Sequence, residues 1–187
     1  MPNTPIARVA RDDLPEAMQA AWDRSQAVRG DATLIETLGN APELFDWYGD
    51  FYERLFYGGR VPAALKELAR YKLSTTHGCR HCNLGNRRDA LARGVSEAKL
   101  DAIDDPDADV FSDAERELLK LAGELSLVRP DGQLETGAYR RLRRYFDDAE
   151  LMEIGMTLAV LVGMAKFLFV YDLVERETSC PFPQHQI

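Results

Sequence analysis

The feature that most constrains this chain is its punctuation. Apolar stretches of helical period are opened by Asp, Ser or Pro and closed by Gly, and alternating strand-like patterns are almost absent. Asp12 or Asp13 can cap a first helix, with Pro15 in its first turn, that runs to about Val28 before Gly30. Asn40-Ala41-Pro42 opens a second, Glu43 to Tyr57, rich in Phe, Trp and Tyr and closed by Gly58-Gly59. Pro62 starts a third, with Leu65, Leu68, Ala69 and Leu73 near helical spacing, and Gly78 ends it. Cys79 begins the next, to about Arg93, with Gly94 as its stop.

The second half of the chain reads the same way. Ser96 caps a short helix to Ile103, and Asp104 to Asp109 is an acidic loop. Ser112-Asp113-Ala114-Glu115 is a capping box for a helix to about Leu127. Pro130-Asp131-Gly132 is a turn, Leu134 to Tyr145 is amphipathic, and Asp147 or Asp148 caps a long apolar helix to about Glu175. The tail Cys180-Pro181-Phe182-Pro183 cannot continue a helix. The expectation is an all-α fold. Ala63-x-Leu65-x-Glu67-Leu68-Ala69 echoes Ala149-x-Leu151-x-Glu153-Ile154-Gly155, which suits two related helical halves. The 187 residues then form one domain: an N-terminal helical extension (1–40), a half carrying the cysteine pair (41–110), a second half (111–176) and an irregular tail (177–187).

A formal charge of −8 argues against nucleic acid as a partner. Met1 to Asp13 lacks the apolar core of a signal peptide, and three cysteines do not make a disulfide framework, so a reducing, cytoplasmic setting is expected. Ile154 to Tyr171 is about long enough to span a bilayer. Lys166 within it, and Glu153 and Asp172 beside it, instead suggest a buried central helix, with Gly155 and Gly163 on one face for close packing. No membrane is expected.

The chemistry concentrates in His77-Gly78-Cys79-Arg80-His81-Cys82, with Glu67 upstream in the preceding helix. Cysteines at i and i+3 share a helix face and, at a first turn, can approach disulfide distance. The helix N-terminus favours a thiolate, and Arg80, His81, Arg87 and Arg88 push the same way. Such a pair can reduce a peroxide through a sulfenic acid that the second thiol resolves to a disulfide. Glu67 is the natural start of the proton relay this needs, and His81 a second member.

Glu67, the Cys79-Arg80-His81-Cys82 turn at a helix junction, Ala90 and Gly94 after it, Phe111-Ser112, and Phe146-Asp147-Asp148 together resemble the AhpD-like alkylhydroperoxidases of the carboxymuconolactone decarboxylase superfamily. The resemblance covers roughly residues 40 to 175. It implies an all-helical fold in a trimer, hexamer or similar homo-oligomer. It also implies a peroxidase in which Cys82 attacks, Cys79 resolves, and Glu67, His81 and a further histidine relay protons. That last position is Asn86 here, and an amide cannot shuttle a proton at neutral pH. The implied partners are a hydroperoxide or disulfide substrate and a dithiol protein or small thiol as reductant, with no cofactor and no metal.

Two further readings stand beside it. One is a lactone- or carboxylate-directed enzyme of the decarboxylase branch, which would not need the cysteines. The other is a non-enzymatic redox-sensing or metal-binding oligomer, with His77 and His81 joining the cysteines. Zinc would require four ligands within six residues, a strained arrangement. Cys180 has no evident partner, and His77 reads as a helix C-terminal residue facing the carbonyl dipole. Arg140, Arg141, Arg143 and Arg144 read as the solvated face of a helix whose buried stripe includes Leu142, or as an intersubunit salt-bridge surface against this acidic chain. The aromatic run from Phe45 to Tyr57 exceeds one core stripe, so it lines either an interface or a pocket beside the cysteines.

Overall fold

The computed structural model describes residues 1–129 and 133–182, so the turn at Pro130-Asp131-Gly132 and the tail from Pro183 lie outside the described residues. All regular structure among the described residues is helical. A 3-10 turn, Arg11–Asp13, leads into α1 (Glu16–Arg29), then α2 (Thr33–Leu38) and α3 (Pro42–Phe51). α4 (Ala63–His77) and α5 (Arg80–Ala92) follow, then the short α6 (Glu97–Asp101), α7 (Asp113–Leu125), α8 (Thr136–Leu142) and α9 (Asp148–Val170).

The local causes are those of the sequence. Gly30 and Gly78 take left-handed φ of 70° and 65° and close α1 and α4, a backbone state that side chains with a Cβ rarely adopt. Ser112 with Glu115, and Asp147 with Glu150, form full capping boxes at α7 and α9. Cys79 is the N-cap of α5, its sulfur accepting the backbone N–H of Cys82 at 3.2 Å.

Three expectations change. The aromatic helix does not run evenly to Tyr57: beyond Phe51 it widens into a π-helical turn, Tyr52–Tyr57. That turn delivers Tyr52 and Phe56 onto the Arg70 guanidinium, 5.7 and 5.1 Å from the ring centroids. The last helix stops at Val170 rather than near Glu175, because Asp172 adopts φ 50° and turns the chain back over the cysteine loop. Finally, the long helix is not packed all round. It buries Ile154, Thr157, Leu158, Ala165, Leu168 and Phe169. Nothing within 4 Å would meet a Cβ at Gly155 or Gly163, so the glycine face is open among the described residues. Met152 and Val170 stand out at 68% and 65% exposure.

α4 sits at the centre. One face shares a core with α7, α8 and α9 through Ala69, Leu73, Leu118, Ala122, Leu142, Ile154 and Leu158. Its other face packs Leu68 and Tyr71 with Ala90, Leu100, Phe111 and Leu119. A third apolar cluster joins Cys79 to Leu168, Phe169, Leu173 and Val174. Burial of this kind contributes about 25 cal/mol per Å² of apolar surface, which is what holds α4 rigid beneath the cysteine turn.

A buried ion pair crosses the core. Lys66 Nζ on α4 lies 2.7 Å from Glu153 Oε1 on α9 and also donates to the Leu55 carbonyl at 2.6 Å. Glu153 accepts the backbone N–H groups of Arg60 and Val61 as well. α9 is long and apolar enough by composition to cross a membrane. Its inner face, however, is part of this core and carries half of this ion pair. Of the arginine run, Arg141 pairs with Glu117 of α7 and Arg143 with Asp148 of α9.

Candidate functional site

Cys79 and Cys82 are joined as a disulfide, with their Cα atoms 5.2 Å apart. They form one wall of a cavity of about 250 Å³. Cys79 is only 1% exposed, whereas Cys82, one turn on, is partly open. The remaining walls come from every part of the chain: Arg29 and Leu34, Tyr48 and Tyr52, Arg70, Leu73 and His77, His81 and Asn86, and Leu161 to Leu168 of α9.

The chain after α9 clamps the cysteine turn from outside. His81 N–H donates to the Glu175 carbonyl at 3.2 Å, and Glu177 N–H donates to the Gly78 carbonyl at 2.8 Å. Arg80 pairs with the Glu175 carboxylate at 2.8 Å. Cys180 packs on the same turn. A Cβ at Gly78 would stand 2.6 Å from the Cys180 Cα, and the Cys180 thiol donates to the His77 carbonyl at 3.1 Å. These long-range contacts have no signature in the sequence.

Glu67 is fully buried and does not line the cavity. Arg70, one turn along α4, donates to its Oε2 at 2.5 Å and also reaches Asp89 on α5 at 3.0 Å. Arg70 is itself part of the cavity wall, so it stands between Glu67 and the space beside the cysteines. Burial raises the Glu67 pKa from its ordinary 4.5 despite the opposing pull of Arg70. Tyr57, near Glu67, is pushed up to about 12 by burial.

His81 is buried, and its Nδ1 faces Asp31 Oδ2 at 3.5 Å. Asp31 was missed in the sequence. Gly30-Asp31-Ala32-Thr33 reads as a helix-opening turn, and Asp31 does serve it by accepting the Thr33 hydroxyl at 2.7 Å. Nothing local announces that its other oxygen faces a histidine. Burial lowers the His81 pKa below 6.5 while Asp31 pulls it up, and Asp31 itself is held below 3.8 by His81 and Thr33 against its own burial. At neutral pH the pair is therefore a carboxylate facing a neutral imidazole.

His77 differs from expectation. Burial drives its pKa down to about 4, so it is not a cation on the helix dipole. Its Nε2 accepts the Leu127 backbone N–H at 3.0 Å. Asn86 lies on the cavity wall, where its amide can hydrogen-bond but not carry a proton. Among the described residues, no group of three or more His, Cys, Asp or Glu side chains is placed to hold a metal ion.

Residues 42–124, from the start of α3 almost to the end of α7, match the carboxymuconolactone decarboxylase family. That match covers less than half of the chain, and the solved structures below share its fold. Three solved structures of similar fold span nearly the same length. The debrominase Bmp8, also known as a cysteine-to-alanine variant in complex with 2,3,4-tribromopyrrole, has 21% identity and a TM-score of 0.74 over 94% of this chain and 93% of its own. An AhpD-core, peroxidase-related protein from Ralstonia eutropha JMP134 has 15% identity and a TM-score of 0.71 over 95% and 94%. An antioxidant-defence AhpD candidate from Agrobacterium tumefaciens has 18% identity and a TM-score of 0.64 over 80% and 95%. At these identities the likeness is one of fold. Curated proteins contain no match to the chain. The segment shared with the family holds the cysteines, Glu67, His81 and Asn86, while Arg29, Asp31 and α9 lie outside it.

Proposed function

We propose that this protein is a dithiol oxidoreductase that reduces a hydroperoxide or disulfide at Cys82 with two electrons from the Cys79/Cys82 dithiol, which ends as the Cys79–Cys82 disulfide. The observation that carries this reading is the division of labour in the pair: Cys82 is open to the cavity, and Cys79 is buried as the N-cap of α5. With a hydroperoxide, the Cys82 thiolate attacks the terminal oxygen, the O–O bond breaks, and the alkoxide leaves as alcohol after taking a proton. The Cys79 thiolate then attacks the Cys82 sulfenic sulfur and expels hydroxide, which takes a second proton to become water. His81, neutral and backed by Asp31, is the group on the cavity wall that holds these protons, and Glu67 fixes the charged Arg70 beside it.

The same arrangement suits the return step. A reductant thiolate attacks the open Cys82 sulfur, and Cys79 leaves as a thiolate stabilised by the Cys82 N–H and the helix N-terminus. The protein would work as a cytoplasmic homo-oligomer. The exposed Met152, Met156 and Val170 face of α9 supports self-association, since only 28% of its most apolar stretch is buried among the described residues.

Tyr48 and Tyr52, whose rings meet at 5.0 Å on the cavity wall, favour a second substrate class. This is a bromoaromatic, from which two thiols would remove bromine as bromide, with hydrogen taking its place and the disulfide as the oxidised product. Rapid mixing of reduced protein with equimolar cumene hydroperoxide or a bromopyrrole, followed by peptide mass mapping, tests both. Fast Cys79–Cys82 disulfide formation that is lost in Cys82→Ser supports the reading. Rates no faster than those of free cysteine with both oxidants would overturn it and favour the cysteine-independent decarboxylase-like alternative.

A further inference from the structure

We infer that Arg29 is an anion-binding group of the cysteine cavity, so that the substrate taken there carries a carboxylate or similar oxyanion beside the bond that Cys82 attacks. This rests on the dithiol reading above and adds the chemical class of the substrate.

Arg29 is the last residue of α1 and lies outside the family segment. Its guanidinium is seated rather than loose. Nε donates to the His81 carbonyl at 3.3 Å, and the group lies over Gly85, where an added Cβ would stand 2.7 Å from the Arg29 Cζ. Gly85 is three residues beyond Cys82 and so shares its face of α5. The missing side chain at Gly85 leaves room for the guanidinium, which lines the same cavity as Cys82.

The charge there is unbalanced. Arg70, the other cation on the wall, is paired with Glu67 and Asp89. Among the described residues, no carboxylate lies within ion-pairing distance of Arg29. Asp89 attracts it from further away, and Arg70 and Arg88 repel it. A partly buried guanidinium cannot shed its proton, so it is stabilised by an anion that enters. The same cavity is lined by Leu34, Leu73, Leu161 and Leu168 and by Tyr48 and Tyr52. The cavity therefore fits a small molecule with one apolar or aromatic end and one anionic end.

The test separates binding from turnover. In reduced protein, Cys82 is alkylated with iodoacetamide in the presence of 4-isopropylbenzoate or the uncharged 4-isopropylbenzamide. The benzoate is expected to protect Cys82, with a half-protecting concentration about tenfold or more lower than that of the amide. Arg29→Gln and, separately, Gly85→Ala, which keeps the charge but displaces it, are expected to abolish that preference, and Arg29→Lys to retain part of it. Equal protection by the two probes, or a preference that survives both Arg29→Gln and Gly85→Ala, would overturn the assignment. Because the assay needs no oxidant, its outcome is independent of whether hydroperoxides or bromoaromatics are turned over. In turnover, a carboxylated cumene hydroperoxide is expected to exceed its methyl ester in kcat/KM by about tenfold in the wild type and to lose that advantage in Arg29→Gln.

Discussion

His81 on α5 turns its Nδ1 toward Asp31 Oδ2 at 3.5 Å, and the carboxylate comes from the loop between α1 and α2, outside the segment shared with the family. A carboxylate on one ring nitrogen leaves the other as the acceptor, the arrangement a general base needs. With Asn86 where the family resemblance places a further histidine, Asp31 backs the one histidine of the proposed relay.

Asp31→Asn should slow thiol oxidation several-fold and shift its pH profile. Asp31 and Glu175 raise the His81 pKa, while burial and Arg29 lower it. Removing the Asp31 carboxylate leaves burial less opposed, so the pKa falls further and the acidic limb of the rate profile moves to lower pH. A stopped-flow profile from pH 4 to 8 reads this, and an unmoved limb would show that Asp31 is merely structural.

Glu67→Gln should slow disulfide formation by about tenfold, because Arg70 on the cavity wall loses its buried carboxylate partner. The side chain is buried against Arg70 and Tyr57, and Gln keeps its shape while losing its charge. Single-turnover thiol loss with cumene hydroperoxide is the measurement.

His77 should make the fold acid-sensitive. Its folded pKa of about 4 lies below the ordinary 6.5, so the unfolded chain binds the extra proton first. The stability it contributes is fully present above pH 6.5 and is lost as pH falls toward 4. The shift of about 2.5 units corresponds to about 3 kcal/mol. Urea unfolding of His77→Gln beside the wild type across that window should show a shallower slope for the variant.

Glu153→Gln should cost about 3–5 kcal/mol, because it strands Lys66 in the core. A double change of Lys66 and Glu153 to methionine should recover much of that loss in the same unfolding assay. A single-variant cost under 1 kcal/mol would mean that the pair is solvated in solution.

Iodoacetamide should modify Cys82 of the reduced protein before Cys79 or Cys180. Cys79 is buried, and the Cys180 thiol is tied to the His77 carbonyl. Timed peptide mapping gives the order directly.

Much of the fold was legible because helix ends are local chemistry. The Ser112–Glu115 and Asp147–Glu150 boxes, and Gly30 and Gly78, act on neighbours within one turn. The π-helical turn at Tyr52 was not legible, since what favours it is the fit of Tyr52 and Phe56 around Arg70 on another helix. Nor was the end of α9, where Asp172 in the left-handed region bonds Asn3 N–H at 2.7 Å from the far end of the chain.

For the site, the sequence by itself determined the reactive unit: Cys79 and Cys82 one turn apart at a helix start, with His81 between them and Glu67 upstream. Spacing within a helix is enough to put those groups together. Only the tertiary structure decided which of them face the cavity. It hid Glu67 behind Arg70, set Asp31 against His81, laid Arg29 over Gly85 and folded Glu175 and Glu177 onto the cysteine turn. Each of these pairs, apart from Glu67 and Arg70, joins distant parts of the chain, so packing rather than local propensity brings them together.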